Sequence, residues 1–228
     1  MLACATSNWI AAQSSSNPPG VLSLAASCGG LSWTYKLYSP RPASPEPAVL
    51  LLHGAGDIPD NMVAAWEKFG AREGIVLIAP RLPRNDKFEA VAPRVFRCVV
   101  EDAKLHTAID PRRIFVFGNS MGGYLAYDAA MFDSDYFAAV AVTGMIISPD
   151  YDSILNQAQR KTPIVVFMGD HDQFSTLAQA RRTRDLLVHG GFPLEYHEIK
   201  EHDHNYYALS DYINNAAFAF FRSHPLPD

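Results

Sequence analysis

The sequence predicts a doubly wound α/β domain, with a mostly parallel sheet and an antiparallel hairpin at its N-terminal end. Three observations carry this expectation. From residue 48 onward, short apolar runs alternate with longer stretches of helical spacing. The runs at 48–52, 75–79 and 163–168 are continuously apolar, as strands covered on both faces are. The residues with chemical potential (His53, Ser120, Asp170, Asp172 and those just after Lys200) all fall at the ends of expected strands. In open α/β sheets, ligands sit at these carboxyl strand ends.

Each element has its own reason. Residues 13–20 (Gln-Ser-Ser-Ser-Asn-Pro-Pro-Gly) have the composition of a tether. Residues 1–20 are therefore expected to be a flexible N-terminal segment, and 21–228 a single domain. The apolar run 21–26 and the alternating run 31–38 read as a hairpin around Gly29 and Gly30. Four prolines make 39–47 a loop. Strand 48–52 ends in His53-Gly54-Ala55-Gly56. Residues 60–73 have helical spacing, with Met62, Ala65, Trp66 and Phe69 on the inner side. Strand 75–79 stops at Pro80, and a loop runs through Arg84-Asn85-Asp86. Residues 95–109 read as a helix with Val99, Ala103 and Ala108 inward, ended by Asp110-Pro111. A buried strand then leads to Gly118, and a helix continues through 124–131. Strands at 138–143 and 163–168 follow, then a helix at 178–189 stopped by Gly190-Gly191. A strand at 194–200 and a helix at 210–223 complete the chain. Tyr212, Ile213, Ala216, Ala217 and Phe220 are expected to face inward from that last helix.

Composition narrows the function classes. With 228 residues and 48% hydrophobic content, the chain has material for one full core. A net charge of −5 without a basic stripe excludes nucleic acid as a partner. No apolar run approaches the roughly 20 residues that span a bilayer. Cys4, Cys28 and Cys98 are far apart and form no Cys-x-x-Cys spacing, so they read as incidental thiols that allow at most one disulfide. Met1-Leu2-Ala3-Cys4 resembles the end of a bacterial lipoprotein signal, although the charged and apolar regions of such a signal do not precede it. With the polar tether, this leans toward an exported or envelope-associated protein, with the cytoplasm as the alternative. Oligomeric state stays open.

The chemistry centres on Gly118-Asn119-Ser120-Met121-Gly122, which lies between an apolar strand and a helix start. That order suits a sharp strand-to-helix turn presenting a nucleophile. A serine hydroxyl needs a base to take its proton, and the base needs an acid to hold its tautomer. The acid comes from Gly169-Asp170-His171-Asp172, and Asp172 is preferred because the chain needs room to curl back after the strand. Asp170 can instead tie down the loop. The base comes from His202-Asp203-His204-Asn205, and His204, nearer the helix start, is preferred over His202. The backbone N–H of Met121 and that of Ala55, with Gly56 as alternative, would hold an oxyanion. His53 reads as a structural brace for that loop. The histidines and aspartates at 170–172 and 202–204 lack zinc-hydrolase spacing, so no metal is expected. Neither a phosphate loop nor a dinucleotide fingerprint is present, and no cofactor is expected.

With Leu52-His53-Gly54, the Ser120 motif, Gly169-x-x-Asp172 and the late His204, the chain resembles the α/β-hydrolase superfamily over residues 21–224. Asp110-Pro111-Arg112-Arg113-Ile114, leading to Ser120-Met121-Gly122-Gly123-Tyr124, is similar to the polyhydroxybutyrate-depolymerase and feruloyl-esterase branch. The carboxylesterase and dienelactone-hydrolase branch is also similar, but Ser120 stands where dienelactone hydrolases carry cysteine. Asn119 stands where many relatives carry histidine or leucine. The resemblance implies a serine carboxylic-ester hydrolase working through an acyl-enzyme on aromatic (feruloyl-type) or hydroxyalkanoate esters, small or polymer-attached. Peptidase, thioesterase or acyltransferase activity is the alternative, and a non-catalytic binding module with the same fold is another. Residues 144–162 are too few for a large helical cap, so an open site is expected. Its pocket candidates are Gly54, Gly56, Tyr124, Phe174 and Tyr206.

Overall fold

Strands that are apolar on both faces must lie inside a sheet, and this places them next to one another. In the computed structural model of the chain, the residues described are 20–41, 43–83, 91 and 94–227. They build one eight-stranded sheet in the order β1-β2-β4-β3-β5-β6-β7-β8. The hairpin β1 (Val21–Cys28) and β2 (Leu31–Tyr38) turns at Gly29 and Gly30, both at positive φ. Strand β2 pairs antiparallel with β4 (Val76–Pro80). From β4 on, all pairings are parallel: β3 (Glu46–Leu52), β5 (Ile109–Asn119), β6 (Val140–Thr143), β7 (Ile164–Gly169) and β8 (Leu194–Ile199). The expected mostly parallel sheet with an N-terminal antiparallel hairpin is observed.

Helices cover both faces. On one side α1 (Pro59–Glu73) and α5 (Ser210–Arg222) pack Trp66, Phe69, Ile213 and Phe221 against β3, β5 and β7. Trp66 meets Phe117 edge-on at 5.2 Å, and Phe115 stacks on Phe221 at 4.6 Å. On the other side lie α2 (Val95–Ala103) and α3 (Met121–Phe132), and Leu187 of α4 (Leu177–His189) joins the same cluster. Between β6 and β7 there is a 3-10 helix, Pro149–Gln157, and no cap domain. Among the described residues, no helix is long and apolar enough to cross a membrane.

Four expectations are corrected. The 95–109 helix ends at Ala103; turns follow, and Ile109 already pairs with Glu46 as the start of β5. Pairing with β3 explains the change: the Glu46 N–H donates to the Ala108 carbonyl at 3.3 Å, and Ile109 joins the sheet beside Glu46. The 39–47 loop gives up its last two residues to β3, and Pro47, which has no N–H for the ladder, sits at a register shift. Cys28 and Cys98 are not incidental thiols: they form a disulfide joining β1 to α2, with Cα atoms 5.9 Å apart. Tyr212 is 53% exposed, one position off the buried stripe of Ile213, Ala217 and Phe220. Segment 1–19 of the expected tether, with Cys4, and the Arg84-Asn85-Asp86 loop lie outside the described residues.

Candidate active site

Ser120 sits between β5 and α3, at the N-cap of the helix, with φ 53° and ψ −121°. A non-glycine residue in such a conformation costs on the order of 1–3 kcal/mol, so the surroundings must enforce it. Its N–H donates to the Thr143 carbonyl at 2.9 Å, and its own carbonyl accepts the Gly123 N–H at 2.7 Å. The flanking glycines make room. A Cβ on Gly118 would lie 2.2 Å from the Gly122 carbonyl oxygen, and one on Gly122 would lie 2.1 Å from the Leu52 carbonyl oxygen. The sequence thus folds here into a turn that only small residues permit, with the hydroxyl at its tip.

Three side chains from three loops form a hydrogen-bonded row. Ser120 Oγ is 2.8 Å from His204 Nε2, and His204 Nδ1 is 2.7 Å from Asp172 Oδ2. The Asp172 side chain is fully buried, while that of His204 is 18% exposed. A carboxylate only accepts, so Nδ1 carries the proton and Nε2 is left to accept from the serine. Asp172 Oδ1 accepts the N–H groups of Phe174 and Ser175 at 2.8 and 2.9 Å, which fixes the carboxylate plane. Of the alternative residues, Asp170 is exposed and continues the ladder through its N–H to Ile199, and His202 is buried with its carbonyl accepting from His171. Gly169 is needed here too, since a Cβ would lie 2.1 Å from that His202 carbonyl oxygen.

The loop after β3 forms a tight turn: Asp57 N–H reaches the Gly54 carbonyl at 3.3 Å, and Gly56 has φ 74°. His53 is buried beneath it. Its Nδ1–H donates to the Gly54 carbonyl at 2.8 Å, and its Nε2 accepts the Leu82 N–H at 3.0 Å. Burial, opposed by the bond to Gly54, pulls the ring's pKa below the ordinary histidine value, so it stays neutral and keeps both bonds. Met121 is the first residue of α3, where helix N–H groups have no intrahelical acceptor.

Gly54, Ala55, Gly56, Asp57, Asn119, Ser120, His204 and residues 205–207 line a cleft of about 290 Å³. Of the expected pocket residues, Gly54, Gly56 and Tyr206 belong to this lining, but the Tyr206 hydroxyl turns inward and donates to Asn214 at 2.7 Å. Phe174 is 77% exposed, and its ring stands edge-on to His204 at 4.6 Å. Tyr124 lies outside the lining, partly buried against the core on the α2 and α3 side. Among the described residues, no group of three or more histidine, cysteine or acidic side chains is placed to hold a metal ion.

Comparison with known proteins bears on the fold. The model of the alpha/beta hydrolase family matches residues 49–226. The chain belongs to that family. No curated protein matches it in sequence. Among solved structures, this alpha/beta hydrolase is similar to a thermostable esterase, with 19% identity and a TM-score of 0.69 over 90% of this chain and 63% of the other. The chain thus spans under two thirds of that esterase. It is also similar to the S-formylglutathione hydrolase of Staphylococcus aureus, with 14% identity and a TM-score of 0.74 over 90% and 98% of the two chains. A thermophilic esterase of Thermogutta terrifontis gives 15%, 0.70, 90% and 92%. At these identities the likeness is one of fold. Sequence reasoning missed several residues of the candidate site. A Cβ on Gly144, at φ 63°, would lie 3.0 Å from His204 Cε1. Asp57, Asn205 and Tyr207 line the cleft, and Gln173 Oε1 accepts the His204 N–H at 3.3 Å. Asp57 was within reach, because it directly follows the Gly54–Gly56 turn; the others carry no motif.

Proposed function

We propose that the protein is a serine carboxylic-ester hydrolase with Ser120 as nucleophile, His204 as base and Asp172 as orienting acid. The observation that carries this reading is the row of 2.7 and 2.8 Å contacts ending on a hydroxyl held in a strained turn. Ser120 Oγ attacks the ester carbonyl carbon while His204 Nε2 takes its proton. The carbonyl oxygen becomes an oxyanion facing the N–H groups of Ala55 and Met121, with that of Gly56 as the alternative to Ala55. The C–O bond to the alcohol then breaks, and the imidazolium returns its proton to the leaving oxygen. Water attacks the acyl-enzyme by the same route, and the proton passes through His204 back to Ser120. No cofactor enters this sequence. The buried Asp172 carboxylate stabilises the charged imidazole at each turn.

The lack of a cap between β6 and β7, the open cleft and the exposed Phe174 ring support bulky, aromatic or hydroxyalkanoate acyl esters, small or polymer-attached, as substrates. The fold-level likeness to an S-formylglutathione hydrolase keeps thioesters in the panel. The test is turnover of short-chain nitrophenyl esters, a ferulate ester, hydroxybutyrate oligomers, an acyl thioester and a peptide. Ester hydrolysis that drops by about 10⁴-fold or more in Ser120→Ala and Asp172→Ala, and stays within a few fold in Asp170→Ala, supports the assignment. Equal activity in wild type and Ser120→Ala ends it. Peptide or thioester turnover well above ester turnover replaces the substrate class. A protein inert to the whole panel leaves a binding module.

A further inference from the structure

The turn at 54–57 and the segment 204–207 both line the cleft. The first carries Ala55, the second His204. The turn contains two glycines and is held from beneath by His53, while its outer end is Asp57. Asp57 Oδ1 accepts the Ile58 N–H at 2.8 Å and Asn61 Nδ2 at 2.6 Å, both at the start of α1. Asp57 Oδ2 accepts the hydroxyl proton of Tyr207 from the opposite side. Tyr207 stands on a firm base. Its neighbour Tyr206 is 1% exposed and bonded to Asn214 of α5, which in turn donates to the Ala65 carbonyl of α1 at 2.9 Å.

We propose that the Asp57–Tyr207 hydrogen bond is a strap across the site that positions the Ala55 N–H relative to Ser120 and His204; this rests on the hydrolase reading above. The donor that meets the oxyanion is a backbone amide on a glycine-rich turn, and α1 fixes that turn from one side only. A displacement of about 1 Å in such a group costs up to about 100-fold in rate. Fastening the turn to the loop of the catalytic base removes that freedom before substrate arrives. Burial, then the bond to Asp57, holds the Tyr207 hydroxyl well above the ordinary tyrosine pKa, so it remains a donor across the working range. Neither residue acts on the substrate in this scheme; both are positioning residues.

The test is a double-mutant cycle on the best ester of the panel, with thermal unfolding recorded for each protein. Tyr207→Phe and Asp57→Ala are each expected to lower kcat about tenfold, with KM within about twofold. The double variant falls no more than about twofold below Asp57→Ala, because Tyr207→Phe removes only a bond that Asp57→Ala has already removed along with those to Ile58 and Asn61. Asp57→Asn keeps an acceptor oxygen for the phenol and recovers most of the loss seen in Asp57→Ala. The rate of Ser120 labelling by an organophosphonate, whose phosphoryl oxygen needs the same donors, drops in parallel. Single effects that multiply in the double variant, or a raised KM at unchanged kcat, overturn the strap. If wild type is labelled and Tyr207→Phe is labelled as fast, the strap fails alone. If wild type is not labelled at all, the hydrolase reading fails and takes the strap with it.

Discussion

Ser120 shows how much a single backbone angle demands of its surroundings. Its positive φ is held by bonds to Thr143 and Gly123, and by glycines whose missing side chains leave room for carbonyl oxygens. Gly122→Ala places a Cβ 2.1 Å from the Leu52 carbonyl oxygen, and backbone cannot yield as a side-chain tip does. A loss of about 3 kcal/mol or more in denaturant unfolding is expected, together with loss of ester turnover. His53 belongs to the same scale. Its neutral ring donates at one nitrogen and accepts at the other, so His53→Ala removes two buried bonds. The expected result is about 2–4 kcal/mol less stability and a lower kcat, read by unfolding and by steady-state kinetics. A milder loss with kcat intact would mean that the turn holds without its brace. Ser120, Asp172 and His204 are legible in sequence because each comes soon after a strand-like run, continuously apolar for the first two and alternating for His204, and carries a reactive side chain. Gly144 and Tyr207 are not, because their importance comes from proximity to His204 and Asp57 and from nothing in their own neighbourhoods.

At the level of elements, buried parallel strands are the easiest to read, since β3, β4 and β7 are apolar along nearly their whole length. The start of β5 reads as helix because Ala103 and Ala108 suit helical spacing, while the pairing with Glu46 that draws it into the sheet is a contact between distant parts of the chain. The Cys28–Cys98 bond is likewise a matter of elements meeting. The two cysteines stand 70 positions apart and meet because α2 packs on β1. Closing a loop of that length stabilises the folded state by about 4 kcal/mol through the unfolded chain's lost entropy. Reduction is therefore expected to lower the denaturation midpoint by that equivalent. Cys28→Ser/Cys98→Ser should match the reduced protein, and an unchanged midpoint would show that the bond does not form.

The molecule as a whole sets one further titration. Asp128 of α3 lies in a crevice with Phe96, Leu125 and Ala129, and burial pushes its carboxyl from 3.8 up to about 7. The folded protein then keeps a proton that the unfolded chain releases near 3.8. This contribution is full below that value and is lost as pH rises through about 7. With partial exposure discounted, the stability at stake is on the order of 2 kcal/mol. Asp128→Asn should remove this decline and raise stability at pH 8 relative to wild type; parallel pH profiles for the two proteins would refute it. The sequence alone determined the layered α/β fold, the strand-to-helix turn at Ser120 and the carboxyl-end positions of Asp172 and His204. All of these follow from local pattern, namely continuous apolar runs, glycine spacing and chain order. The tertiary structure alone decided that Asp172 rather than Asp170 meets His204, that Tyr206 turns its hydroxyl inward, and that Cys28 finds Cys98. It also decided that Tyr207 reaches across to Asp57. Each of these depends on which loops the sheet order brings within a few ångströms of each other, a distance that no spacing along the chain encodes.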